Sequence, residues 1–238
     1  MKSLFLILSV LIFSTCASCQ QGTQEKQNPY TFKKDDPYGI GKWYMGREIA
    51  HVMGFHGMDW LERPERDEEE NVSKLIRNLK IENGDVIADI GAGSGYHTFR
   101  MAPLTDDGMV YAVDIQDEML EVMERKKRKT DIENVVTVQG TEQSVELPYG
   151  LVDKVLMVDV YHEFAFPKEM MASIKKALKQ DGEVYLVEYR KEDAWVPIKD
   201  IHKMTEAQAV KEMKAAGFIL ERNIGNLPWQ HCMVFKKR

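Results

Sequence analysis

Cysteine is scarce in this chain, with three in 238 residues and two of those at positions 16 and 19. The fold therefore needs no disulfide staples and must rest on a buried apolar core. Membrane-length hydrophobic segments are lacking too: the apolar run from Leu4 to Phe13 is too short to cross a bilayer as a helix. Positive charge is not in excess. A formal net charge of −6 and a pI near 5.6 argue against nucleic acid or an anionic membrane surface as the main partner and favour a small-molecule acceptor. No internal repeat or low-complexity tract competes with a single domain. What is present, 44% hydrophobic and 29% charged residues, suits one globular domain with a sizeable core.

The N-terminus stands apart. Lys2, the run Leu4 to Phe13 and then Cys16-Ala-Ser-Cys19 read as a secretory signal over 1–19, with Cys19 as the lipid acceptor that would tie the protein to a bacterial envelope membrane. Two alternatives are simple secretion and an uncleaved anchor that keeps the domain in the cytoplasm. Residues 20–38 are polar and weakly patterned and read as a flexible tether. Residues 39–68 are too rich in aromatics and methionine for a linker. They read as a cap over a cleft, with Ile49, Val52 and Met53 facing the main domain, or as a packing arm that touches no ligand.

The most informative stretch is Asp85-Val-Ile-Ala-Asp-Ile-Gly-Ala-Gly-Ser-Gly-Tyr96, an apolar strand running into glycines at alternate positions. Such a loop lets backbone approach a nucleoside-bearing ligand, and the helix beyond it offers unpaired N–H groups. The dinucleotide fingerprint requires Gly or Ala at its sixth position, which here is Tyr96. Asp89, at the strand's carboxyl end, suits an ammonium and would repel a pyrophosphate. Both features favour S-adenosylmethionine over a dinucleotide. A second strand, Met109 to Asp114, ends in an acid placed to hold ribose hydroxyls. After a third strand, Val135 to Val138, Glu142 can accept from an adenine amino group or cap a loop.

With Asp-Ile-Gly-Ala-Gly-Ser-Gly as its first motif, the chain from about Glu70 to Arg238 resembles the class I S-adenosylmethionine-dependent methyltransferases, and Glu188-Tyr-Arg190 followed by Trp195, Pro197 and His202-Lys-Met204 is similar to bacterial members of unassigned acceptor. The resemblance implies an α/β, Rossmann-like fold: a seven-stranded, mostly parallel sheet with helices on both faces and an antiparallel final strand, spanning 69–238. It also implies that S-adenosylmethionine lies over the carboxyl ends of the first strands, against Asp89, Gly91, Ala92, Gly93, Gly95, Asp114, Ile115, Glu142 and Asp159.

Periodicity alone points the same way. Val72, Leu75, Ile76 and Leu79 predict a helix before the first strand, and Met119, Leu120 and Met123 predict another within 116–129 that ends in the basic run Arg125 to Lys129. Val155 to Val160 reads as a strand buried on both faces. Pro167 opens a helix stopped by Asp181-Gly182, Glu183 to Glu188 is a fifth strand, and Thr205 to Gln208 is a capping box for a helix closed by Gly217. Two final strands follow, at Phe218–Leu220 and His231–Phe235.

Strand alternating with helix predicts a parallel sheet whose carboxyl edge carries the site. That places Tyr161-His162-Glu163, after the fourth strand, as candidate catalytic residues. His162 serves as general base, or is a satisfied loop histidine, while Tyr161 and Glu163 orient acceptor or base. His51, His56 and Trp60 are candidates for acceptor contact and Arg63 for the cofactor carboxylate. Glu188, Tyr189 and His202 are expected at the rim, and His97 as a polar lining group. His162, Glu163 and His202 lack any tight ligand spacing, so no metal is expected. Cys232 reads as a core residue.

Overall fold

The computed structural model describes residues 28–238, so the expected signal segment and the acylation expected at Cys19 fall outside the described residues. The chain enters through a three-stranded antiparallel meander, β1 (Tyr30–Phe32), β2 (Gly39–Tyr44) and β3 (Arg47–Ala50). The tether expected over 20–38 thus already holds a strand, because Tyr30 buries its ring against Tyr44 and Phe166. Short helices α1 (Met58–Leu61) and α2 (Arg66–Glu70) lead to α3 (Val72–Asn78). Asn71, at φ +53, ends α2 and caps α3 by accepting from the Lys74 N–H.

The main sheet follows: β4 (Val86–Ile90), α4 (Thr98–Met101), β5 (Met109–Asp114), α5 (Asp117–Thr130), β6 (Val135–Gln139), β7 (Val152–Val158), α6 (Pro167–Ala177), β8 (Leu178–Tyr189), α7 (Glu206–Ala215), β9 (Phe218–Asn223) and β10 (Gln230–Lys237). Its seven strands lie in the order β6-β5-β4-β7-β8-β10-β9, parallel except for β10, which runs antiparallel to both neighbours. The expected fold is therefore the observed one. Two local details differ. The helix opened by Pro167 gives way to strand at Leu178, short of Asp181-Gly182. Only half of the capping box forms, because Thr205 accepts from the Gln208 N–H while the Gln208 side chain turns to Met45 and Glu212.

Burial explains the sheet's two covered faces. Along β7, Val155 and Met157 join the core formed with α6 and α7, whereas Leu156 and Val158 join the one formed with α3, α4 and α5. Successive side chains of a strand point to opposite faces, so a continuous apolar run is what a doubly covered strand requires. A buried ion pair docks the meander onto this domain. Arg47 meets both carboxylate oxygens of Glu212, at 3.0 and 3.1 Å, and donates to the His162 carbonyl at 2.9 Å. Among the described residues, no helix is long and apolar enough to cross a membrane.

Candidate active site

The strand order reverses direction between β4 and β7, since the chain runs outward from β4 to β6 and then returns to start β7 on β4's other side. In open α/β sheets the crevice beyond the carboxyl ends at such a point is where ligands bind. A cleft of about 610 Å³ opens there, within the roughly 300–1,000 Å³ typical of small-molecule sites.

Across its floor the strand ends supply residues in spatial order. Asp114 and Ile115 follow β5, Gly91 and Gly93 follow β4, Asp159 follows β7 and Tyr189 ends β8; Glu142, from the loop after β6, completes the Asp114 side. The structure thus brings seven of the expected residues, with Glu163 and His162, onto one surface. Gly91 and Gly93 adopt φ of +69° and +56°, and a methyl group on Gly93 would lie 2.7 Å from Leu61. Only glycine lets the backbone come this close to the cleft.

Asp114 is buried and accepts the Gly93 N–H at 2.8 Å on one oxygen and the Gln116 N–H at 3.0 Å on the other. Each oxygen retains a lone pair for a diol. Asp159 has φ +50° and accepts from Gln230 on Oδ2 at 2.8 Å, while its buried Oδ1 has no hydrogen-bond partner. Burial, with Glu70 and Glu188 nearby, pushes its carboxyl well above the usual range. A buried acceptor left unmatched at a cleft wall is suited to a cationic donor.

On the β8 side, His162 and Glu163 form a 3₁₀ turn, Tyr161–Glu163, and face His202 from a second such turn, Asp200–His202. His162 Nδ1 is 2.7 Å from Glu188 Oε2, and its Nε2 is 3.1 Å from His202 Nδ1. Glu163 accepts the Met53 N–H at 3.2 Å on Oε2 and turns Oε1 towards the two histidines. Burial dominates the electrostatics. It lowers His162 and His202 to about 4 each, and raises Glu163 to about 7 and Glu188 to about 8.

Several expected residues sit elsewhere. Tyr161 is fully buried in the core, edge-on to Phe164, and does not line the cleft. Its side chain takes the inward direction of the turn while those of His162 and Glu163 take the outward one. His56 is exposed, stacked on Phe55 with ring centres 4.0 Å apart. Arg63 is spent on Glu69, Glu70 and the face of Trp60, and Arg66, one turn later, lines the cleft in its place. Asp89 lies beneath the glycine loop, accepting from Thr98 Oγ1 at 2.6 Å, and Ala92 and Gly95 also lie behind the wall. A methyl on Gly95 would strike Phe99 at 2.7 Å, so that glycine permits helix-to-loop packing. Glu188, expected at the rim, is wholly buried behind His162, and His97 is buried away from the cleft.

While Ile49 packs with Tyr30 and Tyr44, part of the 39–68 segment lies along the cleft. Val52, Met53, Trp60 and Leu61 line it, as does His51. Gln116 holds this segment from the opposite rim, accepting the Phe55 N–H at 2.9 Å and donating to the Met53 carbonyl at 3.1 Å. Gln116, Arg66, Ile198 and Lys199, all of which line the cleft, were not singled out from the sequence. For Arg66 the available signal was its i,i+4 spacing to Glu70, which it meets at 2.8 Å.

Comparison with known proteins agrees with this geometry. The chain matches the methyltransferase domain family over residues 81–233. It is 29% identical over 143 residues to the uncharacterized methyltransferase YdaC of Bacillus subtilis, covering 60% of this chain and 76% of that one. With the uncharacterized methyltransferase YcgJ of the same organism it shares 28% over 122 residues, 51% of this chain and 47% of YcgJ, so the match spans about half of that relative's length. A S-adenosylmethionine-dependent methyltransferase from Aquifex aeolicus superposes with a TM-score of 0.73 at 21% identity, covering 77% of this chain and 98% of that structure. That last likeness speaks for the fold. Taken with the glycine loop, the acid at the end of β5 and the cleft at the switch point, the match places this chain in the methyltransferase domain family.

Proposed function

We propose that this enzyme transfers the methyl group of S-adenosylmethionine to a small or membrane-derived acceptor whose reacting atom carries an ionisable proton. The observation that carries this reading is the cleft's polarity. Its Asp114 end is shaped for a nucleoside, and its other end gathers His162, Glu163 and His202 where an acceptor would sit. Asp114 holds the ribose hydroxyls, Glu142 stands at the adenine edge, and Asp159 offers its unmatched oxygen to the ammonium. Arg66 faces the amino-acid carboxylate. The sulfonium already activates the methyl group, so the protein supplies alignment for in-line displacement and exclusion of water, the latter through the cap tied down by Gln116.

With no ion bound, Glu163, raised to about 7 by burial, titrates nearer neutrality than His162, lowered to about 4. Acylation of Cys19 would hold this cleft beside an envelope membrane, and mass spectrometry of the N-terminal peptide tests it: an unmodified Cys19 would remove the anchor.

Calorimetric titration of the chelator-treated protein with S-adenosylmethionine, S-adenosylhomocysteine and NAD tests the cofactor assignment. Micromolar binding of the first two, about −8 kcal/mol, with none for NAD, is expected. Absence of binding to all three would point to a non-catalytic use of the fold.

A further inference from the structure

Three potential ligand atoms converge at the acceptor end of the cleft. His162 Nε2 and His202 Nδ1 are 3.1 Å apart, and Glu163 Oε1 lies 3.7 Å from the first and 3.9 Å from the second. A triangle with these sides has a circumscribed radius of about 2.1 Å, the distance at which divalent ions sit from imidazole nitrogen and carboxylate oxygen, roughly 2.0–2.2 Å. From these distances we infer that His162, Glu163 and His202 form a binding site for one divalent metal ion of borderline softness, such as zinc, cobalt or nickel.

The surroundings are built as a metal site requires. A histidine ligand characteristically engages an acceptor through its second nitrogen, which fixes the ring and strengthens the bond to metal. Glu188 occupies that position behind His162 at 2.7 Å, with no solvent exposure. Glu163 is held by the Met53 N–H on its other oxygen, leaving Oε1 directed at the two rings. The turn carrying His202 is closed by the His202 N–H donating to the Lys199 carbonyl at 2.9 Å. Without an ion, the 3.1 Å contact between the two imidazoles is a hydrogen bond, which an ion bound between them would replace. Two nitrogens and one oxygen suit zinc and its neighbours rather than calcium or magnesium, which prefer oxygen alone.

All three residues line the cleft, so the remaining coordination positions open towards it. A substrate presenting an oxygen or nitrogen donor would complete the shell. In doing so it would lose its proton more readily, as metal-bound hydroxyls and water do. The sequence gives no short ligand spacing because His202 comes from a turn beyond β8, brought opposite His162 only when that strand packs on β7.

The test is titration of the full-length, chelator-treated protein with zinc chloride by calorimetry, and with cobalt(II) by visible absorption, in the absence of S-adenosylmethionine. One ion per chain at micromolar affinity or better is expected. His202→Ala should weaken it at least 100-fold, and Glu188→Gln by about 10- to 100-fold. His202 is the least buried of the three ligands, and S-adenosylmethionine affinity in chelator reports that each variant is folded. No binding, or binding unchanged by His202→Ala and Glu163→Gln, would overturn the site. Because metal is added without cofactor, and cofactor without metal, failure here is separate from failure of the methyltransferase reading.

Discussion

Glu188 Oε2 lies 2.7 Å from His162 Nδ1, with both side chains wholly or almost wholly buried. Glu188 also accepts the backbone N–H of His162 on its other oxygen, at 3.2 Å. One carboxyl group therefore fixes both the turn and the ring, and it dictates which imidazole nitrogen faces the cleft. Glu188→Leu leaves the His162 backbone N–H and ring Nδ1 unmatched. It should lower stability by about 1–3 kcal/mol per unsatisfied group in urea denaturation, whereas Glu188→Gln should recover most of the loss. Equal stability of Glu188→Leu and the parent would show that the contact holds nothing in place.

Gln116 spans the cleft mouth through a single amide, with Phe55 and Met53 as its partners. Gln116→Ala removes both bonds without touching the core. Hydrogen exchange at the Phe55 amide should then accelerate at least tenfold while amides in β4 and β7 keep their rates, because local opening draws on local contacts. Unaltered exchange at Phe55 would mean that apolar packing alone holds the cap.

Asp89 gives a defined dependence of stability on pH. Burial, opposed by the Thr98 hydroxyl and Arg66, raises its carboxyl from 3.8 to about 6. A carboxyl raised on folding favours the folded state most below its unfolded pKa, and that contribution is lost as pH rises through the folded value. Relative to Asp89→Asn, the parent should therefore lose about 2–3 kcal/mol between pH 4 and pH 7, from roughly 1.4 kcal/mol per pKa unit. The substitution keeps an acceptor for Thr98, and a stability difference independent of pH, read from denaturant melts, would contradict the assignment.

Cys232 lies in β10 with no exposure, and burial pushes its thiol up to about 11. The thiolate is the reactive form, so near pH 8 only on the order of one molecule in a thousand presents it. Iodoacetamide should leave the peptide containing Cys232 unlabelled in the native protein and label it fully in denaturant, as mapped by mass spectrometry. Rapid native labelling would mean that β10 opens more readily than its place between β8 and β9 suggests.

The sequence by itself determined the layout. Glycines at alternate positions after an apolar strand, acids closing successive strands and apolar runs at period 3.6 are local patterns. They specified the doubly wound sheet, its helices and the glycine-loop side of the cleft, where Gly91, Gly93, Asp114, Ile115, Glu142 and Asp159 all come together. Local patterns say much less about which way a given side chain turns. Within Tyr161–Glu163 the core takes the tyrosine and the cleft takes the histidine and glutamate. Asp89 lies under the loop rather than on it, and Arg66 rather than Arg63 reaches the cleft.

Tertiary structure alone decided those directions. It also decided the meeting of His162 and Glu163 with His202 and Glu188, residues separated by a helix, a long strand and a loop. The physical reason is that strand order, not sequence separation, fixes distance at the carboxyl edge of a sheet. Once β8 packs on β7, its last residues and the turn beyond it lie against the loop after β7. No spacing rule applied along the chain contains that information.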